Sequence, residues 1–270
     1  MKTLRRLLLG LFLSATIPSL TLASQCDTGN TSQYQEPGPY EVVRAENLGQ
    51  YRIYVPEDLG SCRHPIVVFA PGIGMVPSLY SNIYRHLASY GFMVVVDRNF
   101  LINSPGYGLT RGIDLIRESE EYGDLVAPKA GVMGHSMGGG AALNAEKRKN
   151  VAAVVAWMPG ISWNRTEKPT LYLGGTDDFF GSWTDPKNRF KRSKGPRFLV
   201  EVEGGRHVTD STVIGGALKR QATKTYLGAT TAWFKCFLAD DRAACRLFED
   251  SSKGSCQIKG DLTHCEGRDL

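Results

Sequence analysis

Apolar residues along this chain follow two rhythms. Pro65–Ala70 and Phe92–Val96 are apolar at nearly every position, the pattern of interior strands covered on both faces. Between them Leu79, Ile83, Tyr84, Leu87 and Ala88 recur at helical spacing and stop at Gly91, a residue suited to a helix C-cap. Tyr51–Val55 alternates polar and apolar positions, which predicts a half-exposed strand. Downstream the pattern predicts a helix over 109–121, a strand over 130–135 and a small-residue helix over 137–148. Strands at Val151–Trp157, Thr170–Leu173 and Arg197–Val202 come next, then an amphipathic helix over roughly 215–238. Strand followed by helix, repeated, implies an α/β fold with a mostly parallel central sheet and helices on both faces. Residues 24–40, rich in Ser, Gln, Gly and Pro, read as an irregular lead-in. No linker or repeat interrupts the chain beyond residue 40, so 24–270 is expected to form a single domain.

The first 23 residues obey another logic. Lys2, Arg5 and Arg6 precede the apolar run Leu7–Leu13, and Thr21-Leu22-Ala23 supplies small residues for cleavage, so 1–23 reads as a signal peptide. The protein is then expected to be exported, secreted or periplasmic. This changes the meaning of the charge. The 32 Lys+Arg and 27 Asp+Glu give +5, but the leader holds three of those bases and no acid, leaving +2. A nucleic-acid partner would call for far more. After the leader no apolar stretch is long enough to span a bilayer. All six cysteines (Cys26, Cys62, Cys236, Cys245, Cys256, Cys265) lie beyond it, and an even count in an oxidising compartment predicts three disulfides. Cys26 is expected to pair with Cys62, and the other four to close small loops in the C-terminal tail. Zinc is disfavoured because no close Cys-x-x-Cys pair occurs. The basic run Lys187, Arg189, Lys191, Arg192, Lys194 and Arg197 reads as a solvated loop before a strand.

The chemistry concentrates at Gly134-His135-Ser136-Met137-Gly138. Val132 and Met133 lead in as a strand, and Gly139, Gly140, Ala141 and Ala142 continue as a tightly packed helix start. That is the context of a nucleophile elbow, where a serine sits on a strained strand-to-helix turn and its neighbours must be small. Such a serine needs a base, and the base an orienting acid. Two histidines come after Ser136. His207, in Gly204-Gly205-Arg206-His207 after an apolar strand, is the expected base, whereas His264 lies in the cysteine-rich tail. The acid should come after the strand Thr170–Leu173, where Asp177 and Asp178 adjoin; a Gly-x-x-Asp loop favours Asp178, with Asp177 the alternative. The oxyanion would be met by the N–H of Met137 and that of Ile73, in the loop Pro71-Gly72-Ile73-Gly74. Asp97 reads as structural and His135 as packing or hydrogen-bonding beside the site. His64 and His86 show no ligand-like partners, and neither a metal nor a cofactor is expected.

With these residues assembled, the chain resembles the α/β-hydrolase superfamily. More narrowly, it resembles the dienelactone-hydrolase-like branch of bacterial cutinases and poly(ethylene terephthalate) hydrolases, with platelet-activating-factor acetylhydrolases as cousins. The resemblance rests on Pro65–Gly72, Gly91–Asp97 and Gly131–Gly140, with Thr230–Lys235 similar to the last helix of polyester hydrolases. It implies an α/β-hydrolase fold with no large lid, a Ser136–Asp178–His207 triad, hydrolysis through an acyl-enzyme and no cofactor. Two positions depart from the family pattern. Where polyester hydrolases carry an aromatic residue after the oxyanion-loop Pro-Gly and a tryptophan following the proline after the next strand, this chain carries Ile73 and Gly160. Trp163, Phe179, Phe180 and Trp183 are the aromatic residues expected to line the cleft instead. The expected function is therefore a secreted, monomeric serine esterase acting on short-chain or exposed polymeric esters. An acyltransferase with the same triad and a non-catalytic module on a hydrolase scaffold are the alternatives.

Overall fold

The computed structural model describes residues 26, 32–99, 105–162, 164–180, 185–208, 210, 221–249 and 257–270. The signal-peptide segment, Trp163, Trp183 and Cys256 lie outside the described residues. Nine strands form one sheet: β1 (Val42–Arg44), β2 (Tyr51–Pro56), β3 (His64–Ala70), β4 (Met93–Asp97), β5 (Val126–His135), β6 (Ala153–Trp157), β7 (Thr170–Gly175), β8 (Arg197–Val202) and β9 (Leu262–Arg268), in the order β1-β2-β4-β3-β5-β6-β7-β8-β9. The pairs from β4 through β8 are parallel. The flanking pairs β1–β2, β2–β4 and β8–β9 are antiparallel.

The apolar strands behave as two-sided burial requires. In β3, Val67 and Phe69 enter one core, while Ile66, Val68 and Ala70 enter the other. The first core is completed by α1 (Ser81–Ala88), through Ile83, Tyr84 and Leu87, and by α5 (Gln221–Ala239), through Tyr226, Trp233 and Phe234. The second is completed by α2 (Tyr107–Arg117), α3 (Met137–Ala145) and α4 (Pro186–Arg192), through Leu109, Ile113, Ala141, Ala142 and Phe190. Each large aliphatic chain so buried contributes about 1.5–3 kcal/mol. Gly91, with φ +86°, turns the chain out of α1 into β4.

Two expectations need correction. β2 is buried along most of its length, because it lies inside β1 and its tyrosines pack: the Tyr54 ring is 5.3 Å from that of Tyr84, and the Tyr51 hydroxyl donates to Gly108 O at 2.8 Å. The basic run is a helix and not a loop. Asp185 caps α4 by accepting the Asn188 N–H at 2.9 Å, with Pro186 at its first position. Lys187 then pairs with Glu201 at 2.7 Å, and the buried Arg197 binds Asp269 and the Phe190 carbonyl. One element was not predicted: Leu262–Arg268 extends the sheet as its edge strand β9. The Cys26–Cys62 pairing is as expected, and Cys236–Cys245 closes a loop of sequence separation 9. Cys265, also disulfide-bonded, sits on β9.

Candidate active site

Five parallel-sheet connections leave the C-terminal ends of their strands on one side, and that edge gathers the predicted residues. Ser136 comes directly after the last residue of β5 and holds φ +53°, ψ −122°, a conformation L residues adopt only under strain of order 1–3 kcal/mol. The strain persists because the turn is overdetermined. Ser136 N–H donates to Trp157 O at 3.0 Å, and its carbonyl accepts the N–H groups of Gly140 and Gly160. A Cβ on Gly138 would lie 2.1 Å from Ala70 O, so α3 can start against the end of β3 only with glycine there. Met137 opens α3, where its N–H has no intrahelical acceptor and the helix dipole favours negative charge.

The oxyanion-loop candidate lies alongside. A Cβ on Gly72 would stand 3.3 Å from Ser136 Cβ and 3.2 Å from both Tyr80 Oη and His135 Nδ1. The loop thus passes close beside the serine, near enough that a Cβ at Gly72 would crowd it. Ile73 is 59% exposed at the mouth of the site.

The acid and base are neighbours because β7 and β8 are adjacent and parallel. Their outgoing loops are stitched by Gly204 N–H to Thr176 Oγ1 at 2.8 Å and Asp177 N–H to Gly205 O at 3.0 Å. His207 Nδ1 is 3.0 Å from Asp178 Oδ2, and both side chains are under a tenth exposed. Asp177 instead points to solvent, 4.0 Å from Arg206. Of the adjacent aspartates, the structure brings Asp178 to the histidine. With Nδ1–H donated to that carboxylate, Nε2 is left to accept a proton.

Ser136, Met137 and His207 border a cavity of about 450 Å³, with Ile73, Gly160 and Phe180 around it. Met75, Ile161 and Val208, which the sequence did not single out, add aliphatic and thioether surface. Phe179 does not line it: it is 96% exposed. The Asp178 Oδ1 accepts the Phe180 N–H at 2.8 Å, and this tight turn folds Phe180, not Phe179, over His207, ring centroids 4.8 Å apart. A side chain at Gly160 would meet Met137 Sδ at 2.8 Å.

The other histidines lie away from this chemistry or beneath it. His64 is fully buried between the carbonyls of Gly91 and Leu59, beside the Cys26–Cys62 disulfide. His86 meets the Tyr34 carbonyl at 2.9 Å, and burial pushes its pKa down to about 4. His264 lies on β9 against Glu266. Asp97, fully buried, is held by Gln50 and the Asn99 N–H, and burial raises its pKa. Among the described residues no helix is long and apolar enough to cross a membrane.

Known proteins place this arrangement in context. The PET hydrolase-like (PETase) family model matches residues 28–261. A bis(hydroxyethyl) terephthalate hydrolase of Streptomyces coelicolor is 29% identical over 223 residues, 76% of this chain and 69% of that protein. Cutinase est2 of Thermobifida alba is 26% identical over 76% of this chain and 71% of its own length. Lipase 1 of a Moraxella species is 28% identical over 67% of this chain and 62% of its own.

Proposed function

Because the chain belongs to the PET hydrolase-like family, we propose that it is a serine-type carboxylic ester hydrolase in which Ser136, His207 and Asp178 form the catalytic triad. The observation that carries this reading is the 3.0 Å contact between His207 Nδ1 and Asp178 Oδ2, on the cavity that also opens onto the strained Ser136. Ser136 Oγ attacks the ester carbonyl carbon while His207 Nε2 takes its proton. The anionic oxygen of the tetrahedral intermediate is met by the N–H groups of Met137 and Ile73. The C–O bond to the leaving group breaks, and His207 returns the proton to the departing alcohol. Water, deprotonated by His207, then attacks the acyl-enzyme carbonyl; the bond from that carbon to Ser136 Oγ breaks, His207 returns the proton to Oγ, and the acid leaves. Asp178 stays ionised throughout and stabilises the imidazolium.

The substrates are short-chain or exposed polymeric esters, for the rim of the cavity is open and its walls are largely apolar. Ile73 and Gly160 stand where an aromatic clamp would be, which supports aliphatic over aromatic acyl groups. One domain over 24–270 performs the reaction, as a single sheet running from residue 42 to 268 supports. The leader-like residues 1–23 and the disulfides support export. Labelling by a fluorophosphonate together with hydrolysis of p-nitrophenyl butyrate tests the proposal. Both are expected from the purified protein and neither from Ser136→Ala; folded wild-type protein that resists the probe would overturn it.

A further inference from the structure

His135 is the last residue of β5, directly before Ser136; it borders the same cavity as Ser136, yet is only 1% exposed. Its ring nevertheless touches both halves of the site. Nδ1 lies 2.8 Å from Tyr80 Oη, the ring donates a hydrogen bond to the main-chain carbonyl of His207, and its centroid is 4.5 Å from that of His207. Tyr80 is fully buried, and its Oη is 3.1 Å from the Gly72 backbone nitrogen.

The proton positions are set by the main-chain carbonyl of His207, which can only accept: the ring nitrogen that meets it, Nε2, carries the proton. In a neutral ring Nδ1 is then unprotonated and accepts the Tyr80 O–H, while Tyr80 Oη itself accepts the Gly72 N–H. A second ring proton would face the tyrosine O–H. Burial and the nearby His207 already hold the His135 pKa well below that of a free imidazole, so the ring stays neutral.

We propose that His135 is a positioning residue whose neutral imidazole, bridging Tyr80 Oη and the main chain of His207, holds the oxyanion loop at Gly72 in fixed geometry with the loop that carries the base. The proposal rests on the triad assignment of Ser136, His207 and Asp178. The two loops leave different strands, β3 and β8, and lie 135 positions apart in sequence from Gly72 to His207. Both must sit correctly about Ser136, and misplacement of a reacting group by about 1 Å can lower a rate a hundredfold. His135, adjoining the nucleophile, is placed to tie them together. It moves no proton in the reaction.

Four variants test this: His135→Phe, His135→Gln, Tyr80→Phe and the Tyr80→Phe/His135→Phe pair, with kcat and KM measured separately on p-nitrophenyl butyrate and folding checked by thermal unfolding. Phenylalanine keeps the ring and breaks both bonds; kcat is expected to fall about a hundredfold with KM changed less than about threefold, since the lost geometry matters in the transition state. Glutamine can accept from Tyr80 with its carbonyl and donate to His207 with its amide, and should stay within about tenfold of wild type. Tyr80→Phe should lower kcat, and the double variant should be no slower than His135→Phe, because the relay is already broken. A folded His135→Phe of normal kcat, glutamine as slow as phenylalanine, or multiplying losses would each overturn the proposal. If His135→Phe does not fold, a slowed Tyr80→Phe with an active His135→Gln sustains it, and an unimpaired Tyr80→Phe overturns it. Ser136→Ala separates the two levels: its full activity would sink the triad reading, whereas its inactivity alongside a normal His135→Phe sinks only the relay.

Discussion

Replacing Asp178 by asparagine keeps its shape and removes its charge. The carboxylate oxygen lies 3.0 Å from His207 Nδ1, and both side chains are nearly excluded from water. At an effective dielectric constant of about 20, unit charges at this separation attract by about 5.5 kcal/mol. In the proposed mechanism His207 becomes an imidazolium as Ser136 gives up its proton, so this attraction acts in the transition state and appears in kcat. At about 1.36 kcal/mol per tenfold, its complete loss would be worth about four decades. An amide still offers His207 a dipole, so the expected fall in kcat is about 10³–10⁴-fold, with KM little changed. Asp177→Asn is the control. That side chain is 48% exposed and 4.0 Å from Arg206, an ion pair of the kind that contributes little. Its kcat should stay within about threefold of wild type. Steady-state hydrolysis of p-nitrophenyl butyrate, backed by the rate of fluorophosphonate labelling, reads both variants. An Asp178→Asn enzyme within tenfold of wild type, or an Asp177→Asn enzyme equally impaired, would refute the reasoning.

Two further outcomes arise from burial and close packing. His86 has its pKa pushed down to about 4, so between that value and its ordinary 6.5 the unfolded chain binds a proton that the folded chain refuses. Its contribution is therefore full above pH 6.5 and lost as pH falls through 4, about 3 kcal/mol in all. Urea unfolding at pH 7 and pH 4 should show that excess loss in wild type relative to His86→Gln; equal losses in both would contradict it. Gly138→Ala would set a Cβ 2.1 Å from Ala70 O and 2.5 Å from Pro71 O, both immobile backbone atoms. It should destabilise by about 1–3 kcal/mol and lower kcat by shifting the oxyanion loop, and an unchanged urea midpoint would show the contact to be relaxed at no cost.

The central strands were legible because burial on both faces leaves no polar position to interrupt them, as in Ile66–Phe69 and Met93–Val96. Arg197–Val202 was read to its boundaries. The edges were less legible. β9, Leu-Thr-His-Cys-Glu-Gly-Arg, carries one side in solvent and little apolar patterning, so its strand character comes from pairing with β8. The helix over the basic run was hidden by its charge, though Asp185-Pro186 was a cap signal in plain view. Tyr80 and its link to His135 had no local sign at all, since they are separated by 55 positions.

The sequence by itself determined the class of fold, the nucleophile turn and the two candidate acids, because periodicity and turn chemistry are local properties written in neighbouring residues. It also supplied the Cys26–Cys62 pairing. Only the tertiary structure decided between members of adjacent pairs. Asp178 and not Asp177 meets the histidine, and Phe180 and not Phe179 covers it. Neighbours in a chain share almost the same local environment. What separates them is which one the register of β7 against β8 turns toward a partner 29 residues away, and that is settled by the packing of the whole sheet.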